Sequence, residues 1–305
     1  MGQITYVGGR EARETTPRPF FPVRNTHLET LRTSRSYMGD GSDLSNEDLT
    51  VTVSDDGLEV RATIDRPEER NSMNDDVILG LLDALEYADE GDARVFVIRG
   101  AEGTFCSGGD LKSMAGVFGQ GSQAYREQFQ GLAVLVEAMV DASVLTVAAV
   151  EGYCLAGGLG LAAACEFVVA DEDATFGLPE VDIGLFPAQA MAPIMRAASE
   201  KAGLKLLFTG DFVDAAEAER MGLVTDVAAS DEFDATVDGL VDTLANNSPV
   251  MIDMGKEAYY TQRDMGFGEA LTYLKEVISL VAMSEDTEEG INAFLMDEEP
   301  EWKGR

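Results

Sequence analysis

Two glycine-rich segments, Phe105-Cys106-Ser107-Gly108-Gly109-Asp110-Leu111-Lys112 and Gly152-Tyr153-Cys154-Leu155-Ala156-Gly157-Gly158, hold the residues of this chain best suited to do chemistry. Each approaches a helical pattern. A helix start exposes unpaired backbone N–H groups and the positive end of the helix dipole, so two such starts can converge on one developing oxyanion. Glycine lets the backbone come within hydrogen-bond reach. In Phe176-Gly177-Leu178-Pro179-Glu180, a Pro-fixed loop amid apolar residues would desolvate the Glu180 carboxyl and raise its pKa toward a useful range. Gly157-Gly158-Leu159-Gly160 lacks the spacing of a dinucleotide fingerprint, so no nucleotide cofactor follows from it. The single histidine, His27, leaves no multi-histidine zinc site, and a Ser-His-Asp or Cys-His triad would have to use it.

The elements that must position these residues are legible from Leu49 onward. Leu49–Val53 and Leu58–Ile64 alternate apolar and polar residues around Asp56-Gly57, which predicts a hairpin with a tight turn. Asn74 can cap an amphipathic helix whose buried stripe is Ile78, Leu81, Leu82 and Leu85 and which ends at Gly91-Asp92. Val95-Phe96-Val97-Ile98 and Leu145–Val150 read as buried strands, each delivering the chain to one of the glycine clusters. Strand, glycine loop and helix in succession imply an α/β fold of parallel strands with crossover helices, whose C-terminal edges host sites. From Gly152 to Cys165 the chain has fourteen uncharged residues, too few for a membrane span and suited to a buried helix. Toward the end, Leu271, Leu274, Val277, Ile278 and Val281 recur at helical spacing, read first as a core stripe and alternatively as an oligomer seam.

Composition narrows the partners. The chain has 305 residues, 45 % of them hydrophobic, enough for a core without staples, and a net charge of −34 from 56 acids against 22 Lys and Arg. So acidic a surface repels nucleic acid and anionic lipid headgroups. Acid excess with only six lysines and ample apolar content points to a globular protein adapted to molar salt. Cys106, Cys154 and Cys165 have no C-x-x-C spacing, which fits reduced thiols in a cytoplasmic protein, and no secretory leader is recognisable at the N-terminus. The opening segment Met1–Tyr37 opposes the rest, with six arginines against three glutamates. Two readings stand side by side there: a flexible basic arm on the acidic body, or an over-extended reading frame whose true start is Met38.

The two glycine clusters resemble the oxyanion-hole motifs of the enoyl-CoA hydratase/isomerase (crotonase) family, and the likeness runs from about Leu49 to the closing Glu289-Gly290-Ile291-Asn292-Ala293-Phe294-Leu295. The resemblance implies a crotonase-like spiral of ββα units followed by a helical segment that makes trimers. It divides the chain into an N-terminal extension (1–47), a spiral core (48–228) and a helical C-terminal segment (229–305). It implies that Gly109 and Gly157 donate the two amides to a thioester oxygen, that Glu180 is the catalytic carboxylate, and that Lys112 contacts coenzyme A. Arg70 and Ser107 are further candidates for binding CoA, as is Arg66. CoA would come as part of the substrate, with no permanently bound cofactor and no metal, and the partners would be an acyl-CoA thioester and further copies of the chain in a homotrimer or homohexamer.

One departure from the family pattern matters. Hydratases of this family commonly carry a second glutamate where this chain has Gly160. The loop around Glu180 looks closer to the hydratase version, so hydration of a 2-enoyl-CoA is favoured narrowly. A single-glutamate isomerase comes next, and a non-catalytic acyl-CoA-binding subunit is the third possibility. An Asp nucleophile, as in the family's aroyl-CoA dehalogenases, is not expected, because Ala188 stands at its position.

Overall fold

The alternating residues of β1 (Leu49–Val53) and β2 (Glu59–Ile64) form the expected antiparallel hairpin, and Gly57 takes φ +75° in the turn between them. The computed structural model describes residues 44–305, so nearly all of the segment 1–47, including His27 and the six arginines, lies outside the described residues. Parallel to β2 run β3 (Val95–Gly100), β4 (Leu145–Val150), β6 (Phe167–Asp171) and β9 (Asp226–Ala228), giving a six-stranded sheet in the order β1-β2-β3-β4-β6-β9. The first strands alternate in burial while β3 and β4 are buried on both faces, as the apolar runs demand.

A second, smaller sheet carries the site. It contains β5 (Tyr153–Leu155), β7 (Thr175–Gly177) and β8 (Phe212–Asp214), with β5 parallel to β7 and β8 antiparallel to β7. Two isolated parallel bridges, Cys106 with Cys154 and Met73 with Gly109, extend the same pairing to the earlier parts of the chain. Each turn therefore runs from a strand of the large sheet, through a short stretch of the small one, into a helix. The first turn ends in α1 (Asp75–Glu90), the second in α2 (Leu111–Ala115), the third in α5 (Gly157–Ala164) and the fourth in α6 (Ala188–Ala197). This is the ββα spiral implied by the resemblance. Between the second and third turns lie α3 (Ser122–Phe129) and α4 (Gly131–Asp141); α7 (Glu200–Thr209) and α8 (Ala215–Met221) follow the fourth.

Local chemistry explains the helix starts. Asn74 caps α1 by accepting from Val77 N–H at 2.9 Å, and Gly91 ends it; Ile78, Leu81, Leu82 and Leu85 are all buried. The uncharged stretch Gly152–Cys165 is strand first and helix second: Tyr153–Leu155 is β5, and only from Gly157 does α5 begin. That short helix is apolar all round and accordingly central, with Leu159, Leu161 and Ala162 nearly inaccessible.

After β9 the described chain is helical, but its first helix, α9 (Phe233–Ala245), belongs to the core. Phe233, Val237, Val241 and Leu244 pack under the large sheet against Val95, Val97, Val147 and Val169. The next helix, α10 (Pro249–Gln262), is pinned by a buried lysine. Lys256 Nζ donates to the carbonyls of Met139 (2.7 Å) and Val144 (2.6 Å) and lies 3.3 Å from Glu166 Oε1. Glu166 in turn accepts from Thr146 N–H and Oγ1 and from Tyr260 Oη, each at 2.7 Å, so the pair is fully bonded rather than left as isolated charge.

The last two helices, α11 (Phe267–Val281) and α12 (Glu285–Met296), correct one expectation. The stripe Leu271, Leu274, Val277, Ile278 and Val281 is not core: Leu271 and Ile278 are 56 % and 61 % exposed, and Ala270 alone in α11 is buried. Helical spacing fixes which residues share a face but not what covers it.

Candidate active site

The two glycine segments are laced together before they reach the site. Cys106 N–H donates to Tyr153 O at 3.0 Å and Leu155 N–H to Cys106 O at 2.9 Å, a parallel pairing that carries both chains forward side by side. Beyond it the loops touch at Gly108, whose φ is +105°. A Cβ there would stand 3.1 Å from Gly157 N and 2.6 Å from Ala156 Cβ, so only glycine allows this approach.

The two amides become free for different reasons. Met73 N–H donates to Gly108 O (2.7 Å) and Asp110 N–H to Met73 O (2.9 Å), a bridge that steps over Gly109 and leaves its N–H without an acceptor among the described residues. Gly157 is the first residue of α5, where helix geometry supplies no acceptor. The expectation of two helix starts is thus corrected for the first amide. Helix α2 begins only at Leu111, and Asp110 caps it by accepting from Lys112 N–H (2.8 Å) and Ser113 N–H (3.1 Å). Gly109 presents a strand-edge amide, and the dipole argument applies to Gly157 alone.

Glu180 borders the same space. It sits in the short 3-10 turn Pro179–Ile183, which Pro179 opens and Gly184 closes. Its Oε2 is buried with no hydrogen-bond partner among the described residues, and burial pushes its pKa above the usual carboxylate range, partly offset by its own backbone N–H. Ser107, Gly109, Gly157 and Glu180 all line one cavity of about 560 Å³, whose other walls include Ile78, Met114, Phe129, Leu132, Ile183 and Phe186. A second cavity of about 610 Å³, between α5, α6 and α10, contains neither the amides nor Glu180.

Gly160 is closed rather than merely empty. A Cβ on it would lie 2.7 Å from Ala190 Cβ and 2.8 Å from Ala190 Cα, because α5 and α6 touch there. No side chain fits at that point without parting the helices. Glu166 and Glu151 do not substitute for it, since Glu166 serves Thr146, Tyr260 and Lys256, and Glu151 pairs with Arg99 at 2.8 Å. Ala188 lines the cavity as the first residue of α6.

The cationic candidates fall outside the cavity lining. Lys112 Nζ lies 3.2 Å from Glu69 Oε1 with its side chain 82 % exposed, and Arg70 is exposed while its carbonyl accepts from Ser107 N–H at 3.1 Å. Both therefore sit on the outer rim, beside Ser107 and Asp110. Arg66 is committed elsewhere. Its guanidinium pairs with Asp110 (3.0 Å) and Asp48 (3.3 Å) and donates to Ser72 O (2.6 Å), which ties the hairpin to the first glycine loop.

Two features of the site were not visible as motifs. Burial alone would push the Asp110 carboxyl up, but the Ser113 and Lys112 amides and the Arg66 guanidinium outweigh it and hold the group below the usual range. An Asp before a helical pattern hints at the cap; the Arg66 partner leaves no local trace. Ala156 holds φ +53° and ψ −126°, a left-handed backbone at a residue with a Cβ, immediately before the Gly157 amide.

The family model for enoyl-CoA hydratase/isomerase matches residues 60–305. The chain belongs to the enoyl-CoA hydratase/isomerase family. It is 34 % identical over 260 residues to a probable enoyl-CoA hydratase of Rhizobium meliloti, covering 84 % of this chain and 98 % of the relative. It is 32 % identical over 246 residues to the 2,3-dehydroadipyl-CoA hydratase of Escherichia coli, covering 80 % and 94 %. Among solved structures, human enoyl Coenzyme A hydratase domain-containing protein 3 superposes with a TM-score of 0.80 at 27 % identity, covering 84 % of this chain and all of that one. Such neighbours establish the crotonase fold of this family member, with its spiral core and C-terminal helices.

Proposed function

We propose that this crotonase-family chain hydrates 2-enoyl-CoA thioesters and that Glu180 makes both proton transfers. The observation that carries the reading is the convergence of two acceptor-free amides and one unpartnered carboxyl on a single cavity. Glu180 accepts a proton from water as the water oxygen bonds to C3, and the C2–C3 π electrons move onto the thioester oxygen. Gly109 and Gly157 hold that oxyanion, each donor contributing about 3 kcal/mol to the transition state. The Glu180 carboxyl then returns its proton to C2 and the carbonyl re-forms. The hydratase names of the two relatives support this choice.

A second reading, double-bond isomerisation of a 3-enoyl-CoA, is favoured by the closed position at Gly160. One base suffices there, moving a proton between C2 and C4. In either case CoA enters with the substrate, and no permanent cofactor or metal is needed. Ser107, Lys112 and Arg70 would meet the CoA moiety at the rim, where short contacts outweigh the long-range repulsion of an acidic protein. The exposed apolar residues of α11 and α12 support a homotrimer or homohexamer, and three buried, unbridged cysteines support a cytoplasmic setting.

The test uses crotonyl-CoA and a 3-enoyl-CoA followed by the absorbance of the conjugated thioester. Loss from the first means hydration; gain from the second means isomerisation. Binding of both without turnover by wild type, or full activity in Glu180→Ala, overturns the catalytic role of Glu180.

A further inference from the structure

The wall of the cavity carries information about the far end of the acyl chain. Its charged lining side chains among the described residues are all carboxylates: Asp75, Asp110 and Glu180. Arg66 neutralises Asp110, while Asp75 is exposed. Beyond Glu180 the lining is uncharged, with Leu132, Ile183, Leu185 and Phe186 beside Gln128 and Gln189, and the Gln189 amide is committed to Phe129 O. Among the described residues no cation lines the cavity: Arg126, two residues before Gln128, is exposed and outside the lining, and Arg66, Arg70 and Lys112 lie on the Ser107–Asp110 side. That is the side where the reading above puts CoA, not the acyl end.

From this distribution we infer that the site selects acyl-CoA substrates with an uncharged acyl terminus and rejects those ending in a carboxylate; the inference rests on the acyl-CoA reading of the same site. Two physical effects point the same way. An anion entering this uncharged end of the pocket loses its hydration and finds no guanidinium or ammonium among the described lining residues to replace it. It also comes to rest beside Glu180, and a neighbouring like charge opposes the ionised form that Glu180 needs in order to act as a base. The E. coli relative named for 2,3-dehydroadipyl-CoA supplies the contrasting substrate class.

The experiment compares two acyl-CoAs of equal chain length, 2-hexenoyl-CoA and 2,3-dehydroadipyl-CoA, which differ by a methyl against a carboxylate. The expected kcat/KM ratio is at least about 100-fold in favour of hexenoyl-CoA, or about 2.7 kcal/mol at 1.36 kcal/mol per tenfold. The ratio should persist at about 1 M salt, where the field of the whole protein is screened beyond about 3 Å. Phe186→Arg, placed where the ring is 39 % exposed, should shift the ratio at least about tenfold toward the diacid, in line with a missing cation as the cause. Turnover of the diacid within tenfold of the monoacid overturns the inference and leaves the acyl-CoA reading standing. Discrimination that vanishes in salt also overturns it, by assigning the effect to net charge. Failure to turn over either compound removes the reading beneath it, and the inference with it.

Discussion

Closure of the Gly160 position can be tested by filling it. Carbon atoms in contact settle at roughly 3.5–4.0 Å, whereas a Cβ on Gly160 would lie 2.7 Å from Ala190 Cβ and 2.8 Å from Ala190 Cα. Helices α5 and α6 must therefore part by close to an ångström in Gly160→Ala. Overpacking of this kind costs about 1–3 kcal/mol, against which alanine regains about 1 kcal/mol of helix propensity. A net loss of about 0–2 kcal/mol is expected for Gly160→Ala, and at least about 3 kcal/mol for Gly160→Glu, which adds bulk and a buried carboxylate. Ala190→Gly removes the opposing methyl at a propensity cost of about 1 kcal/mol. The double variant Gly160→Ala/Ala190→Gly should then be more stable than the two single changes add up to, by about 0.5–1 kcal/mol of coupling, because the 2.8 Å approach to the Cα at position 190 remains. Urea denaturation of the five proteins in one common buffer measures each quantity. Gly160→Ala more stable than wild type by its full helix propensity, or a cycle with no coupling, would refute the packing argument, and the second-carboxylate site would then be vacant rather than closed.

Other outcomes follow from single groups. Asp110→Asn keeps the shape of the α2 cap but loses its charged bond to Arg66, and should cost about 1–3 kcal/mol at neutral pH. The folded-state pKa of Asp110 is lowered, so its stabilisation is present above the usual carboxylate pKa and is lost as pH falls through the folded value; the gap between variant and wild type should close in acid. Burial pushes the Cys106 and Cys165 thiols up to about 12, so none of the buried cysteines should react with a thiol reagent at neutral pH until the protein is unfolded. With a net charge of −34, dialysis from molar salt into dilute buffer should abolish the far-ultraviolet circular dichroism of the fold, and retention of the full signal would contradict adaptation to salt.

How much of this was legible in the residues varies with the physics involved. The hairpin β1–β2, strands β3 and β4 and helix α1 announce themselves, because one buried face repeated over five or more residues leaves a period. The small sheet does not, since β5, β7 and β8 are three residues long and two of its links are single bridges. The glycine clusters were recognisable as oxyanion candidates, yet the route by which Gly109 N–H becomes free depends on Met73, thirty-six positions earlier. Contact between Gly160 and Ala190 is likewise tertiary. The α11 stripe is legible as a shared face but its burial is not, because the same spacing serves a core or a face covered by another chain.

The most direct measurement of the central claim is exchange of the C2 protons of a saturated acyl-CoA, butyryl-CoA, with deuterated solvent, followed by proton NMR. Exchange requires the thioester enolate and a base, but neither water addition nor double-bond migration, so it is independent of which net reaction the enzyme performs. Wild type should catalyse it with a rate that falls as pH drops through a Glu180 pKa above the usual carboxylate value, and Glu180→Gln should be slower by about 100-fold or more. An exchange rate unchanged in Glu180→Gln, or no exchange by a wild-type protein that binds butyryl-CoA, would contradict the account.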